Sequence, residues 1–287
     1  MNTKAAILHQ MELERPYSVS NPLKIEDVTL DDPGFNEVVV KIKAAGLCHS
    51  DLSVIDGNRP RPLPMALGHE ASGVVVELGE GVDKLSVGDH VVFAFLPSCG
   101  SCSYCNTGRA ALCEPGAEAN GKGTLLGGHK RIHNEGNYYH HHLGVSGFAE
   151  FAVASVDSLV KIDQEIPFEI AALFGCAIMT GVGAVVNTAQ LKFGENILIV
   201  GLGGVGLSAI LGAKAAGASN IIAADLNPQK RAIGKQLGAH YTIDSSKKNA
   251  LQFLKDLSGG GVDVALEFAG AISALEFAFH ATKRGGT

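Results

Sequence analysis

Read on its own, the chain divides into a β-rich first half and an α/β second half built on a doubly wound parallel sheet. Three observations carry that reading. The length of 287 residues is about twice that of a common single domain. The apolar segments change texture near Cys176, and a glycine-rich turn follows an apolar strand early in the second half. Domains of residues 1–176 and 177–287 are therefore expected.

From Lys4 to about Lys161 the apolar runs are short and valine-rich, as in Glu37 to Lys43, Gly73 to Leu78 and Asp89 to Phe93, with Pro and Gly between them. Such runs read as strands joined by turns. Between Pro115 and Ser146 lies a polar, Gly- and His-rich stretch, which reads as a surface excursion; His140, His141 and His142 within it read as a solvated polar loop. From Pro167 onward helical stretches alternate with strand-like runs at Asn196–Val200, Asn220–Asp225, His240–Asp244 and Val262–Leu266. Strand, helix, strand alternation means parallel βαβ units.

Composition narrows the function. With 46% hydrophobic and 18% charged residues the chain is too apolar for disorder. Lys and Arg number 23 against 29 Asp and Glu, giving −6 with no long basic run. That balance argues against nucleic acid or anionic lipid as a partner. The N-terminus has no apolar signal core, so the expected compartment is the cytoplasm. Ile170 to Leu191 and Ile197 to Ala213 are uncharged and approach spanning length. Glycines punctuate both, the first also holds Asn187 and Gln190, and the turn chemistry of the second suits a buried strand joined to a helix, so no membrane span is expected.

Gly201-Leu-Gly203-Gly204-Val205-Gly206 follows the strand ending at Val200 and opens an Ala-rich helix. In that context the first glycine permits a tight turn, the second lets backbone N–H groups approach a pyrophosphate, and the third lets the helix pack closely on the strand. Asp225 ends the next strand. A carboxylate there accepts from a ribose 2′-hydroxyl and repels a 2′-phosphate, so NAD is expected over NADP.

Cys99, Cys102, Cys105 and Cys113 form a C-x2-C-x2-C-x7-C loop, able to wrap four thiolates around one structural zinc. Disulfides and an iron–sulfur cluster are the rival readings. A reducing compartment disfavours the first, and the long final gap with Glu114 before Pro115 disfavours the second. Cys48 and Cys176 stand apart; alone they would be small buried hydrophobes. With His69 they could instead hold a second zinc with an open fourth position.

These residues resemble the zinc-containing medium-chain alcohol dehydrogenases over essentially the whole chain. The motifs concerned are Gly68-His69-Glu70-x2-Gly73-x5-Gly79-x2-Val82, the four-cysteine loop, Gly175-Cys176 and the glycine turn. The resemblance implies a GroES-like β-barrel catalytic domain followed by a Rossmann domain, with the active site in a cleft between them. It implies that Cys48, His69 and Cys176 ligate a catalytic zinc with Glu70 close behind, that Asp51 orients His69, and that Ser50 accepts the substrate proton. Phe95 would line the substrate pocket. His49, Thr180, Val205 and Lys230 would touch NAD, which also rests on Gly201, Gly203, Gly204, Gly206 and Asp225. Two zinc ions per chain, a small alcohol or aldehyde substrate and a homo-oligomer of the full-length protein complete the implication.

Some features depart from the family pattern. His49 stands where many relatives carry Arg, and Ser53 where some carry a relay histidine. Four strands of the second domain are counted where a dinucleotide domain of this type has six, so a fragment or shortened form with weakened coenzyme binding is expected. The expected reaction is hydride transfer between an alcohol and NAD. The alternatives are a non-catalytic, zinc-stabilised nucleotide-binding protein, an inactive fragment of the dehydrogenase, and a zinc-free quinone reductase, which would have no use for either cysteine set.

Overall fold

The computed structural model describes residues 1–287, which form two compact units, Met1–Cys176 and Ala177–Thr287. The first unit contains β1 (Asn2–Leu8), β2 (Leu23–Leu30), β3 (Glu37–Gly46), β4 (Met65–Ala66), β5 (Glu70–Leu78), β6 (His90–Phe93), β7 (Ile132–Asn134), β8 (Asn137–His141), β9 (Phe151–Ser155) and β10 (Leu159–Lys161). Strands β1, β2, β7, β8 and β4 close into a barrel, and β10, β6, β5, β3 and β9 form a second, antiparallel sheet. Alternation along β3 serves two cores. Val38 and Val40 pack with Val75, Val91 and Phe93, whereas Val39 packs with Ile7, Val28, Leu30 and Ile132, because successive side chains of a strand face opposite ways.

The stretch from Pro115 to Ser146 is not a surface excursion. It supplies the helix Glu114–Lys122 and two barrel strands, β7 and β8. Nor are the three histidines a solvated loop: His141 and His142 are buried, and His141 Nε2 accepts from the Arg131 backbone N–H at 3.1 Å. Polar side chains can occupy a core when each finds a partner, so the polar composition there hid the strands.

In the second unit β11 (Asn196–Val200), β12 (Asn220–Ala224), β13 (Tyr241–Ile243) and β14 (Val264–Glu267) form a four-stranded parallel sheet in the order β13-β12-β11-β14. This is the order of the first four strands of a Rossmann sheet. Helices cover both faces. Ile197 and Ile199 pack on Ala209, Ile210 and Ala213 of the helix Gly204–Ala215, while Leu198 and Val200 pack on Leu254, Ala274 and Ala278. Burial on both sides explains why these strands are continuous apolar runs. No single helix is long and apolar enough to cross a membrane. The window from Ile170 breaks into short helical pieces, and that from Ile197 is β11 followed by its helix.

Candidate active site and metal centres

Cys48 ends an extended segment after β3 and caps the helix His49–Ile55; its Sγ accepts from the Ser50 N–H at 3.5 Å, and Asp51 Oδ2 accepts from the Cys48 N–H at 3.1 Å. This reciprocal cap fixes both residues on one turn. His69 and Glu70 enter from the start of β5, and Cys176 from the turn after the short helical segment Ala172–Gly175. At Gly175 a Cβ would stand 2.0 Å from the Phe93 carbonyl oxygen, and at Gly46 one would stand 2.5 Å from Glu70 Oε2. At Gly175 only bare backbone fits against β6. The ligand atoms of Cys48, His69, Glu70 and Cys176 lie within 4.8 Å of one another.

His69 is 1% exposed, and its Nδ1 lies 3.0 Å from Asp51 Oδ1. A metal-binding imidazole commonly uses one nitrogen on a carboxylate and the other on the ion, so Nε2 is the atom left for coordination. His142, which the sequence reading left out of the site, also faces Asp51. Its Nδ1 is 3.3 Å from the same Oδ1, without the alignment of a hydrogen bond, and its ring meets His69 edge-on at 5.4 Å. Phe95 meets His69 edge-on at 5.6 Å, and its carbonyl accepts from Asn120 Nδ2 at 2.8 Å.

Crowded donors perturb one another. The Cys176 thiol beside Cys48 draws the Cys48 thiol down to about 3 against the cost of burial, and Cys176 is pushed up in turn. Burial, then the Cys48 charge, raises Glu70 to about 7. Burial works against a charged His69, but Asp51 and Cys48 raise it to about 9. Burial also works against a charged Asp51, which His142 and His69 nonetheless hold well below the usual carboxylate range. Two sulfurs, an imidazole and a carboxylate in mutual contact make a donor set suited to zinc.

The sulfurs of Cys99, Cys102, Cys105 and Cys113 also lie within 4.8 Å of one another. Cys113 Sγ accepts from the Cys99 N–H at 3.2 Å and the Gly116 N–H at 3.4 Å, and Cys99 Sγ from the Cys102 N–H at 3.3 Å. All six cysteines are free thiols in the structure. Four sulfurs with backbone N–H support fit a closed structural zinc site.

In the second unit Gly201 has φ +89°, and a Cβ on Gly206 would stand 1.9 Å from the Gly201 carbonyl oxygen. Around Gly203 a Cβ would meet nothing within 4 Å, so that glycine leaves open the start of the helix Gly204–Ala215, where unpaired N–H groups attract anions. Asp225 accepts from the Leu202 N–H and the Asn227 N–H, each at 2.8 Å. Both bonds lock its orientation, and each oxygen keeps a free lone pair. Val205 is half-buried on the turn, Lys230 is exposed in the first turn of the helix Pro228–Leu237, and Thr180 is exposed on the helix Ala177–Gly183. His49 is exposed and Ser50 half-buried on the helix that Cys48 caps. Arg59, another residue the sequence reading passed over, donates from Nη1 to Ser50 Oγ at 3.4 Å.

Residues 34–164 match the family model described as alcohol dehydrogenase GroES-like domain, and residues 204–287 that described as zinc-binding dehydrogenase. The chain is 38% identical over 272 residues to an S-(hydroxymethyl)glutathione dehydrogenase of Synechocystis sp., covering 94% of this chain and 74% of that protein. It is similar to the crystal structure of benzyl alcohol dehydrogenase from Acinetobacter calcoaceticus, with TM-score 0.88, 34% identity, and 100% of this chain and 75% of that one covered. Acetophenone reductase from Geotrichum candidum, solved in complex with NAD, matches with TM-score 0.76 and 28% identity over 99% of this chain and 74% of its own. The barrel, the parallel sheet, the donor sets and these likenesses agree: the chain belongs to the zinc-containing medium-chain alcohol dehydrogenase family.

Proposed function

We propose that this chain oxidises a small alcohol to an aldehyde or ketone with NAD, reversibly, using two zinc ions. Cys48, His69 and Cys176 would hold the catalytic ion, with Glu70 beside it, and Cys99, Cys102, Cys105 and Cys113 a structural one. The observation that carries the reading is the convergence of Cys48, His69, Glu70 and Cys176 within 4.8 Å from three separate parts of the chain, with the far nitrogen of His69 tied to Asp51.

Bound zinc supplies Lewis acidity, which eases loss of the proton from an alcohol hydroxyl and polarises a carbonyl in the reverse direction; NAD supplies the hydride acceptor. The protein's own groups do the rest. Asp51 holds the His69 ring in one tautomer and one orientation. Ser50 accepts a hydrogen bond from Arg59, which leaves its own O–H free to donate and one lone pair to accept, as a group relaying a proton requires. Phe95 supplies an apolar wall against His69. The turn Gly201–Gly206 offers backbone N–H groups to the pyrophosphate, and Asp225 accepts from the adenosine ribose, with Lys230 near that ribose. His49 and Thr180 take the pyrophosphate and nicotinamide contacts that the family resemblance implies. Six free cysteines suit a reducing cytoplasm, and self-association is carried over from the family.

Alcohol-dependent NADH formation by the zinc-loaded protein tests the reading. Cys48→Ala or His69→Ala is expected to lower kcat by about 10³-fold or more, the order seen when a charge-stabilising group is lost, while zinc remains at the four-cysteine loop. Variants that keep wild-type turnover would refute the assignment.

A further inference from the structure

The segment between the helix His49–Ile55 and His69 carries Arg59-Pro60-Arg61-Pro62. Arg15, Arg131 and Arg231 pair with carboxylates elsewhere in the fold. Arg59 and Arg61, like Arg109 and Arg284, have no carboxylate partner; what sets the first two apart is their place beside the Cys48 and His69 donors. Arg59 Nη1 instead reaches Ser50 Oγ at 3.4 Å, and Arg61 Nη1 reaches the Asn120 carbonyl oxygen at 3.2 Å. Asn120 in turn holds the carbonyl of Phe95, whose ring lies against His69. Both guanidinium groups are thereby linked, through one or two neighbours, to the residues that flank the Cys48, His69 and Cys176 donors.

Two cations on alternate residues without a counter-ion repel each other, and the half-buried Arg61 has lost part of its hydration. Burial, then the Arg59 charge, lowers the proton affinity of Arg61, and the Arg61 charge is felt at His142. Pro60 and Pro62 restrict the backbone that carries the pair. A guanidinium fork matches the oxygens of a carboxylate or phosphate and can bind them in bidentate fashion. The long Ser50 contact and the exposure of Arg59 leave that side chain able to turn toward a ligand.

We propose that Arg59 and Arg61 form a subsite for an anionic group, carboxylate or phosphate, borne by the alcohol substrate. This rests on the reading that alcohols react at the Cys48, His69 and Cys176 donors. It names a substrate class that those donors by themselves do not select.

The test compares kcat/KM for 4-(hydroxymethyl)benzoate, 4-(hydroxymethyl)phenyl phosphate and the neutral methyl 4-(hydroxymethyl)benzoate on the zinc-loaded protein. At least one anion is expected to exceed the ester by about tenfold or more, the worth of one charge-assisted hydrogen bond, with an advantage that shrinks as salt rises. The better anion identifies the group recognised. In Arg59→Met and Arg61→Met the anion-to-ester ratio should fall at least fivefold, and Arg61→Lys, which keeps the charge, should recover part of it. An ester as good as both anions, or a ratio within twofold of wild type in both Met variants, overturns the subsite and leaves the dehydrogenase reading intact. If no alcohol is oxidised, that underlying reading fails instead. The subsite is then decided by calorimetric binding of 4-(hydroxymethyl)benzoate: tenfold weakening in the Met variants supports it, and absent or unaltered binding overturns it.

Discussion

Asp51 shows how one buried side chain organises its neighbours. Its two oxygens serve the Cys48 N–H and His69 Nδ1, and His142 approaches the second of them. Asp51→Asn would keep the shape and lose the charge. Carboxylates behind metal-bound histidines commonly contribute 10–100-fold in metal affinity, so zinc at the Cys48 donors should weaken by about that factor in chelator competition, with the four-cysteine loop unaffected. Equal affinity in the variant would remove Asp51 from its positioning role. The grouping of Cys48, His69, Glu70 and Cys176 was expected through the family resemblance, which rests in part on the glycine spacing around His69. Arg59, Arg61 and His142 were not. Their significance comes from Ser50, Asn120 and Asp51, contacts that fold together segments far apart in the chain, and no local pattern encodes such pairs.

The strands were read well where valine runs lie between turn residues, as at β3, β5 and β6, and where burial on both faces makes runs continuous, as at β11 and β12. Reading failed at β7 and β8, which are short and, apart from Ile132, carry His, Asn and Tyr in place of branched aliphatics. There tertiary pairing, not side-chain preference, makes the strand. The four-cysteine loop is an element of another kind, made of short turns. It includes the brief helix Ser103–Asn106 and leads into the helix Glu114–Lys122, whose cap is Cys113. So little apolar burial cannot order a loop by itself, and a bound ion would contribute its folding energy. Cys113→Ser should therefore release one zinc per chain and lower the thermal midpoint by several degrees, as loss of about 1–2 kcal/mol would. The Cys48 donors should keep their metal. An unchanged melting curve would show that the loop folds without an ion.

Taken together, the two units divide the work by chemistry. The first gathers sulfur, imidazole and carboxylate donors on a barrel and its companion sheet; the second presents a glycine turn and an acidic strand end suited to a dinucleotide. The sheet order β13-β12-β11-β14 is one of the orders that right-handed strand–helix–strand units allow, and it matches the first four strands of a Rossmann sheet. The hydropathy that imitates membrane spans belongs to a series of short, partly exposed helical pieces and to the central strand β11 with its helix. The family resemblance implies two ions per chain, and each donor set depends on packing for its geometry. The most direct measurement is elemental analysis of the purified protein beside Cys48→Ser and Cys113→Ser. The account predicts two zinc atoms per wild-type chain and one in each variant. A single atom in the wild type, retained in Cys48→Ser and lost in Cys113→Ser, would contradict it.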